Sequence, residues 1–193
     1  MKKKAVLLFL VIALPALIFL FLKAFGRNEF AIPVYYEQGL TDSLSTPCLD
    51  QTKQQYIVNN ALISVGGLKV VHFERLDGPV LKTRLEALER VQDVFYDSPE
   101  ISLTTYLNGS SVAKKDITDY DKRIQFLDQF WSINELDSTS WANLKYCSVA
   151  MSNLDNRVVL VDQENKIRGY YNILEREETD RLILELRILK SMQ

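Results

Sequence analysis

The sequence predicts an α/β fold, a mixed central sheet with helices on both faces, preceded by one N-terminal transmembrane helix. Three observations predict it. An uncharged apolar run lies near the N-terminus. Short β-branched runs then alternate with stretches of helical apolar spacing. Towards the C-terminus, two apolar runs joined by a tight turn are followed by one amphipathic stretch.

Lys2, Lys3 and Lys4 precede an uncharged run over 5–22, which Lys23 closes. As a helix that run spans roughly 27 Å, close to the hydrocarbon thickness of a bilayer. A cleaved signal peptide is the rival reading, with Ala24-Phe25-Gly26 as a weak cleavage site. Its apolar region is ordinarily shorter, about 7–15 residues, so an uncleaved anchor over 1–26 is expected. Pro15 sits mid-run, where membrane helices tolerate proline. Because the lysines precede the run, the positive-inside rule leaves the N-terminus cytoplasmic. The rest of the single-pass chain then faces outward: periplasm in a bacterium, on the outer face of the inner membrane, or intermembrane space in a mitochondrion. The bilayer is thus the first expected partner.

Residues 27–67 read as a juxtamembrane segment. Ala31-Ile32-Pro33-Val34-Tyr35-Tyr36 is extended, and its two tyrosines suit either the membrane interface or packing beneath the domain. Thr46-Pro47-Cys48-Leu49 and Gln55-Tyr56-Ile57-Val58 are expected to pair as a short hairpin, and Gly66-Gly67 to turn.

The domain proper spans 68–193. The β-branched run 68–73 reads as a buried strand. Asp77 suits a helix cap and Pro79 a first turn. Leu81, Leu85, Leu88, Val91 and Phe95 then share one helical face, and Ser98-Pro99 ends the helix. A strand follows over 101–107. Ile124, Leu127, Phe130 and Trp131 have helical spacing, which predicts a helix over 119–131. Residues 141–151 read as a helical or irregular connection. Strand 158–162, turn 163–166 and return strand 167–173 form a hairpin. A helix over 177–190 closes the chain, with Leu182, Ile183, Leu186 and Leu189 inward. Glu177, Glu178 and Asp180 near its start and Arg187 and Lys190 near its end complement its dipole. The order βαβαββα, with a mixed sheet covered on both faces, is a thioredoxin-like layout.

Composition sets bounds on function. With 47% hydrophobic and 25% charged residues, the chain can build a core. A net charge of -2 and a pI near 5.5 give no general attraction to nucleic acid. One histidine and two cysteines are little material for a zinc site, and Cys48 and Cys147 match no C-x-x-C or zinc-knuckle spacing. Neither sits in a recognisable redox context, so they are not expected to form a disulfide. No glycine-rich phosphate loop, Ser-His-Asp set or paired catalytic carboxylates stand out. The acids over 175–180 read as a solvated helix start, and Asp97, Asp116, Asp119 and Asp121 as surface charge.

Three residues carry donor atoms worth weighing. His72 lies among apolar strand neighbours and reads as a core or edge histidine, with Val71 and Phe73 facing the other way. Cys147 and Met151 form Cys-x-x-x-Met, which in a helix puts two soft sulfurs on one face. The plain reading is core packing. The sharper one is a soft-metal site such as copper, completed by Met192 or His72.

Several stretches resemble the Sco/SenC family, membrane-anchored thioredoxin-fold copper chaperones of cytochrome oxidase assembly. After the anchor, Gly26-Arg27-Asn28-Glu29-Phe30-Ala31-Ile32-Pro33-Val34-Tyr35-Tyr36 looks like that family's juxtamembrane segment. Val70-Val71-His72-Phe73-Glu74-Arg75 resembles the strand leading to its metal loop, and Leu88-Glu89-Arg90-Val91-Gln92 the helix behind it. Val158 to Asp162 with Lys166-Ile167-Arg168-Gly169-Tyr170-Tyr171 resembles its C-terminal hairpin. The stretch 108–157 matches poorly. The resemblance implies copper held by a C-x-x-x-C pair and a distal histidine. Here Leu76, Val80 and Leu154 stand at those positions, in Arg75-Leu76-Asp77-Gly78-Pro79-Val80-Leu81-Lys82 and Asn153-Leu154-Asp155-Asn156-Arg157. Aliphatic side chains donate to no metal and attack no disulfide.

The expectation is therefore a divergent Sco/SenC-like protein with a degenerate copper site. It would hold no cofactor, perform no catalysis and act by binding a respiratory assembly protein, an oxidase subunit or a Sco paralogue. The alternatives are a copper chaperone with relocated ligands (Cys147, Met151, His72) and a thiol-disulfide oxidoreductase using Cys48 and Cys147.

Overall fold

Strand β1 (Leu68–Arg75) is buried from Leu68 to Glu74, on both of its faces, and this places it at the centre of a sheet. The computed structural model describes residues 4, 11, 13–21, 31–40, 55–63, 66–75, 81–108, 130–151 and 158–192. They fall in two compact units, Met1–Ala31 and Ile32–Gln193.

In the larger unit the elements after β1 are α1 (Leu81–Phe95), β2 (Ile101–Asn108), β3 (Trp131–Leu136) and α2 (Ser138–Ala142). A π-helical turn (Asn143–Ser148), β4 (Val158–Val161), β5 (Ile167–Tyr171) and α3 (Arg176–Ser191) complete them. The sheet order is β3-β2-β1-β4-β5. β1 runs parallel to β2, from Leu68 opposite Ile101 to Arg75 opposite Asn108, and β2 runs parallel to β3. β1 runs antiparallel to β4, and β4 antiparallel to β5. A parallel βαβ half and an antiparallel ββα half thus meet at β1 and β4, the thioredoxin-like arrangement.

Period-two alternation divides the core. Leu68 and Val70 pack with Leu85, Leu88 and Val91 of α1 and Leu182 and Leu186 of α3. Val71 and Phe73 face the other way, against Trp141, Leu144 and Met151. Helices therefore cover both faces, as expected. The inward set of α3 is Leu182, Ile183, Leu186 and Leu189, with Glu177 and Glu178 in its first turn and Lys190 in its last. Gly67 holds a φ of +82°, and a Cβ there would stand 2.5 Å from the Glu100 carbonyl oxygen. That same oxygen accepts from the Leu68 amide at 2.7 Å, which sets the start of the β1–β2 register.

Two expectations are corrected. Phe130 and Trp131 do not end a helix. Trp131 opens β3, an edge strand that buries Trp131, half-buries Ile133 and Leu136 and exposes Ser132, Asn134 and Glu135, and residues 119–129 lie outside the described set. Gln55-Tyr56-Ile57-Val58 is not a strand: the Tyr56 amide bonds to the Tyr36 carbonyl and the Val58 amide to the Asn165 carbonyl. Its expected partner, 46–49, lies outside the described residues.

These contacts belong to a strap formed by 32–40 and 55–63. Ile32 joins the core on the α1–α3 face, the Tyr35 amide bonds to the Ile167 carbonyl at 2.8 Å, and Val58 and Ile63 join the core on the opposite face. The strap thereby crosses the outer edge of β5, which would otherwise present unpaired backbone groups. In the smaller unit, Val11 and residues 13–21, including Pro15, are helical. Among the described residues, no helix is long and apolar enough to cross a membrane.

Candidate functional site

A line of buried polar side chains runs from β3 through β2 and β1 to α1. The Trp131 indole donates to Thr105 Oγ1 at 2.9 Å, and Thr105 Oγ1 lies 3.3 Å from His72 Nδ1. His72 Nε2 stands 3.7 Å from Glu74 Oε2, which accepts from the Arg84 guanidinium at 2.7 Å. The Arg75 amide donates to the other Glu74 oxygen at 2.9 Å. Thr105 Oγ1, which accepts from the Trp131 indole, thereby links β3 to His72 on β1.

The strand period builds this line. His72 and Glu74 alternate with Val71 and Phe73 and so share the α1 face, and the parallel register sets Thr105 opposite His72. Burial alone would push Glu74 upward. His72, the Arg75 amide and Arg84 outweigh it and hold the carboxyl down to about 2. Glu74 ends the buried part of β1 and Arg84 lies in the first turn of α1, so their pair brackets the connection 76–80. A carboxylate this acidic is a poor proton acceptor near neutral pH.

Leu76, Val80 and Leu154 lie outside the described residues, as does Cys48. The relocated copper set is not brought together. His72 is on the α1–α3 face of the sheet, whereas Met151 is buried in the cluster on the α2 face. Cys147 is disulfide-bonded, which corrects the expectation that it forms no disulfide, and the described residues include no free cysteine. Among the described residues, no group of three or more His, Cys, Asp or Glu could hold a metal ion.

Cys147 lies on the π-helical turn, and tyrosines hold that turn's carbonyl end. Tyr56 Oη donates to the carbonyls of Cys147 at 2.9 Å and Ser148 at 2.8 Å, and Tyr170 Oη donates to that of Val149 at 2.6 Å. Asn60 Nδ2 adds a bond to Ser148 Oγ at 2.9 Å. A helix end leaves carbonyls without intrahelical partners, and the phenols supply them. Tyr35 stacks edge-on against Tyr36 and Tyr170, and Tyr36 against Tyr56. Of the two expectations for Tyr35 and Tyr36, packing within the domain is the one seen. Burial, then Tyr36, pushes Tyr56 up to about 12, and burial foremost also raises Tyr170. Both phenols therefore stay protonated as donors. On the same face, Lys145 is buried with its ammonium 5.2 Å from the Trp141 ring centre.

The residues overlooked in sequence are Glu74, Arg84, Thr105, Tyr56 and Tyr170. A signal existed for Glu74, an acid two positions from His72 in an apolar strand. The others are joined only by tertiary contact.

No protein-family model matches the chain, and no curated protein matches it. Solved structures do. BsSco, a member of the Sco family of cytochrome c oxidase assembly proteins described for a disulfide switch, is 11% identical with a TM-score of 0.49, over 66% of this chain and 82% of that one. The dsbF protein of MTB, in mixed oxidised and reduced forms, is 14% identical with a TM-score of 0.44, over 65% and 82%. StoA from Bacillus subtilis is 16% identical with a TM-score of 0.42, over 63% and 83%. At such TM-scores the likeness is loose, and the thioredoxin-like assignment rests on the strand order and registers described above.

Proposed function

We propose that this chain is a membrane-tethered binding protein on a thioredoxin-like scaffold, of the cytochrome oxidase assembly type, acting without copper or thiol chemistry at its strand-to-helix junction. One observation carries the reading. The connection 76–80 between β1 and α1 contains Leu76-Asp77-Gly78-Pro79-Val80, with no sulfur or imidazole, and it is bracketed by a committed Glu74–Arg84 ion pair. Sulfur chemistry at a helix start needs a thiolate there, and copper needs soft donors. The respiratory partner class, an assembly factor, an oxidase subunit or a Sco paralogue, rests on the sequence resemblance. The tether and the outward-facing domain rest on the lysine-flanked run 5–22.

Affinity purification of the tagged full-length chain from native membranes tests the partner class. Enrichment of an oxidase subunit or a copper-handling assembly protein is expected, and enrichment of neither counts against it. Cu(I) titration of the full-length chain in detergent, reduced and with a competing chelator, tests the chemistry. The reading expects no binding above background. Tight one-to-one binding abolished by Cys147→Ser would replace it with a copper chaperone using relocated ligands.

A second reading, a thiol-disulfide oxidoreductase using Cys48 and Cys147, draws on the disulfide at Cys147. It predicts catalysed reduction of a disulfide substrate such as insulin by the pre-reduced chain. A rate equal to that of the Cys147→Ser variant removes it.

A further inference from the structure

Strand β5 carries one residue more than its neighbour can pair. Leu160 of β4 lies opposite Gly169 and Val161 opposite Ile167, so Arg168 falls between two pairs as a bulge, a feature that re-aims a side chain. Ile167 and Tyr170 pack on the α2 face of the sheet. Arg168 instead lines a cleft beside the end of α3, floored by Leu68, Leu189 and Met192 and rimmed by Asp162 and Lys166 of the β4–β5 turn. The cleft encloses about 380 Å³, within the range of small-ligand sites. It lies where β1 begins, at the opposite end of that strand from the connection 76–80.

The charges around the cleft are unevenly satisfied. The Lys166 ammonium is paired with the Glu164 carboxylate. Asp162 Oδ1 accepts from the Glu164 and Lys166 amides at 2.9 Å each and so holds the turn. Its other oxygen stands 3.6 Å from Arg168 Nη1, beyond hydrogen-bond length, and closing that gap would draw Oδ1 away from the turn amides. The Arg168 side chain is only 13% exposed, and its Nε is buried with no hydrogen-bond partner among the described residues. A guanidinium offers five N–H donors in a planar fork, and this one is met by a single carboxylate at ion-pair distance. Two acids and two bases line the cleft, so its net charge is zero. Selection then falls to the directed donors of the fork and to the apolar floor.

We propose that this cleft binds a small monocarboxylic acid with an apolar body, its carboxylate on the Arg168 guanidinium and its body on Leu68, Leu189 and Met192. Two carboxylate oxygens match the fork and accept charge-assisted hydrogen bonds from it. A neutral amide of the same shape offers one acceptor and turns its own N–H groups towards the guanidinium. A second negative charge on the ligand gains little, because Lys166 is already held by Glu164. The inference does not depend on which partner the protein binds.

Methionine-methyl NMR on the full-length chain in lipid nanodiscs tests it, with 4-methylpentanoate as the probe and 4-methylpentanamide as the neutral control. The chain has three methionines, Met1, Met151 and Met192. Met192 lines the cleft, whereas Met151 is buried on the α2 face of the sheet and serves as an internal reference. A saturable shift of the Met192 methyl by the acid is expected, with Met151 unmoved and the amide much weaker. Arg168→Met should weaken binding by about tenfold or more, and Arg168→Lys, which keeps the charge without the fork, should also weaken it. Lys166→Gln should change it by less than about threefold. A Met192 signal that stays still, a Met151 signal that moves in step with it, or an amide that binds as tightly as the acid overturns the proposal. Equal weakening by Arg168→Met and Lys166→Gln also overturns it, since the site would then be surface charge alone. The comparison of acid with amide uses the wild type, so a misfolded variant does not blur the answer.

Discussion

Arg84 holds Glu74 at 2.7 Å from the opposite side of the β1–α1 connection, and both side chains are buried. Removing one charge leaves the other in a low-dielectric interior beside His72, and a broken buried pair costs about 3–5 kcal/mol. Arg84→Met is expected to lose that much in urea unfolding, whereas the double change Glu74→Leu with Arg84→Met recovers most of it. A single variant as stable as wild type would show that the pair contributes nothing.

The same carboxyl sets an acid limit. Glu74 stands near 2 in the folded state against an ordinary value of 4.5. Since the folded carboxyl holds its proton more weakly, the unfolded chain takes up the proton first as pH falls. The stabilisation is complete above pH ~4.5 and is lost on the way down to pH ~2, on the order of 3 kcal/mol in all. Urea midpoints measured from pH 6 to pH 2 should decline in that window, and Glu74→Gln should flatten the decline. An unchanged slope in the variant would assign acid sensitivity to other groups.

Gly169 is small because Tyr171 needs the space. A Cβ at Gly169 would lie 2.3 Å from Tyr171 Oη, while that phenol donates to Glu185 Oε2 at 2.5 Å and its ring lies 4.6 Å beneath the Arg181 guanidinium. With the ring held from two sides, Gly169→Ala is expected to cost about 1–3 kcal/mol in thermal unfolding. Adding Tyr171→Leu should make the alanine nearly harmless. If alanine alone is harmless, the ring is freer to move than these contacts require.

Tyr170→Phe removes the donor to the Val149 carbonyl and is expected to cost about 1 kcal/mol. Tyr56→Phe removes one O–H shared between the Cys147 and Ser148 carbonyls and should cost a similar amount. Hydrogen exchange reads the location: the Met151 amide, bonded to the Lys145 carbonyl, should exchange faster in both variants. Equal protection there would mean that the π-helical turn stands without its phenols.

Most of the domain was legible because its signals are local. The apolar spacing of Leu85, Leu88, Val91 and Phe95 needs no knowledge of the sheet, and the 163–166 turn between two apolar runs announces a hairpin. Edge strand β3 was missed for a physical reason. Phe130 and Trp131 continue a helical spacing begun at Ile124, whereas the alternation of Trp131-Ser132-Ile133-Asn134 is short and easily outvoted. In the fold, Trp131 is settled by pairing with Leu103 and by its bond to Thr105. The face occupied by His72 could be read from strand alternation. Arg84 as the partner of Glu74 could not, because α1 must first pack on the sheet. Two cysteines about 100 positions apart gave no spacing from which a disulfide at Cys147 could be read.

β1 is the first strand of the sheet in chain order and also its middle one. Its neighbour on one side is β2, but the neighbour on the other is β4, which begins at Val158. As the polypeptide emerges from a ribosome or a translocation channel, β1 waits with a bare backbone edge until nearly the whole domain has been delivered. The sheet therefore closes late in synthesis or export, and a chain stopped before Val158 would present an apolar edge for other chains to pair with.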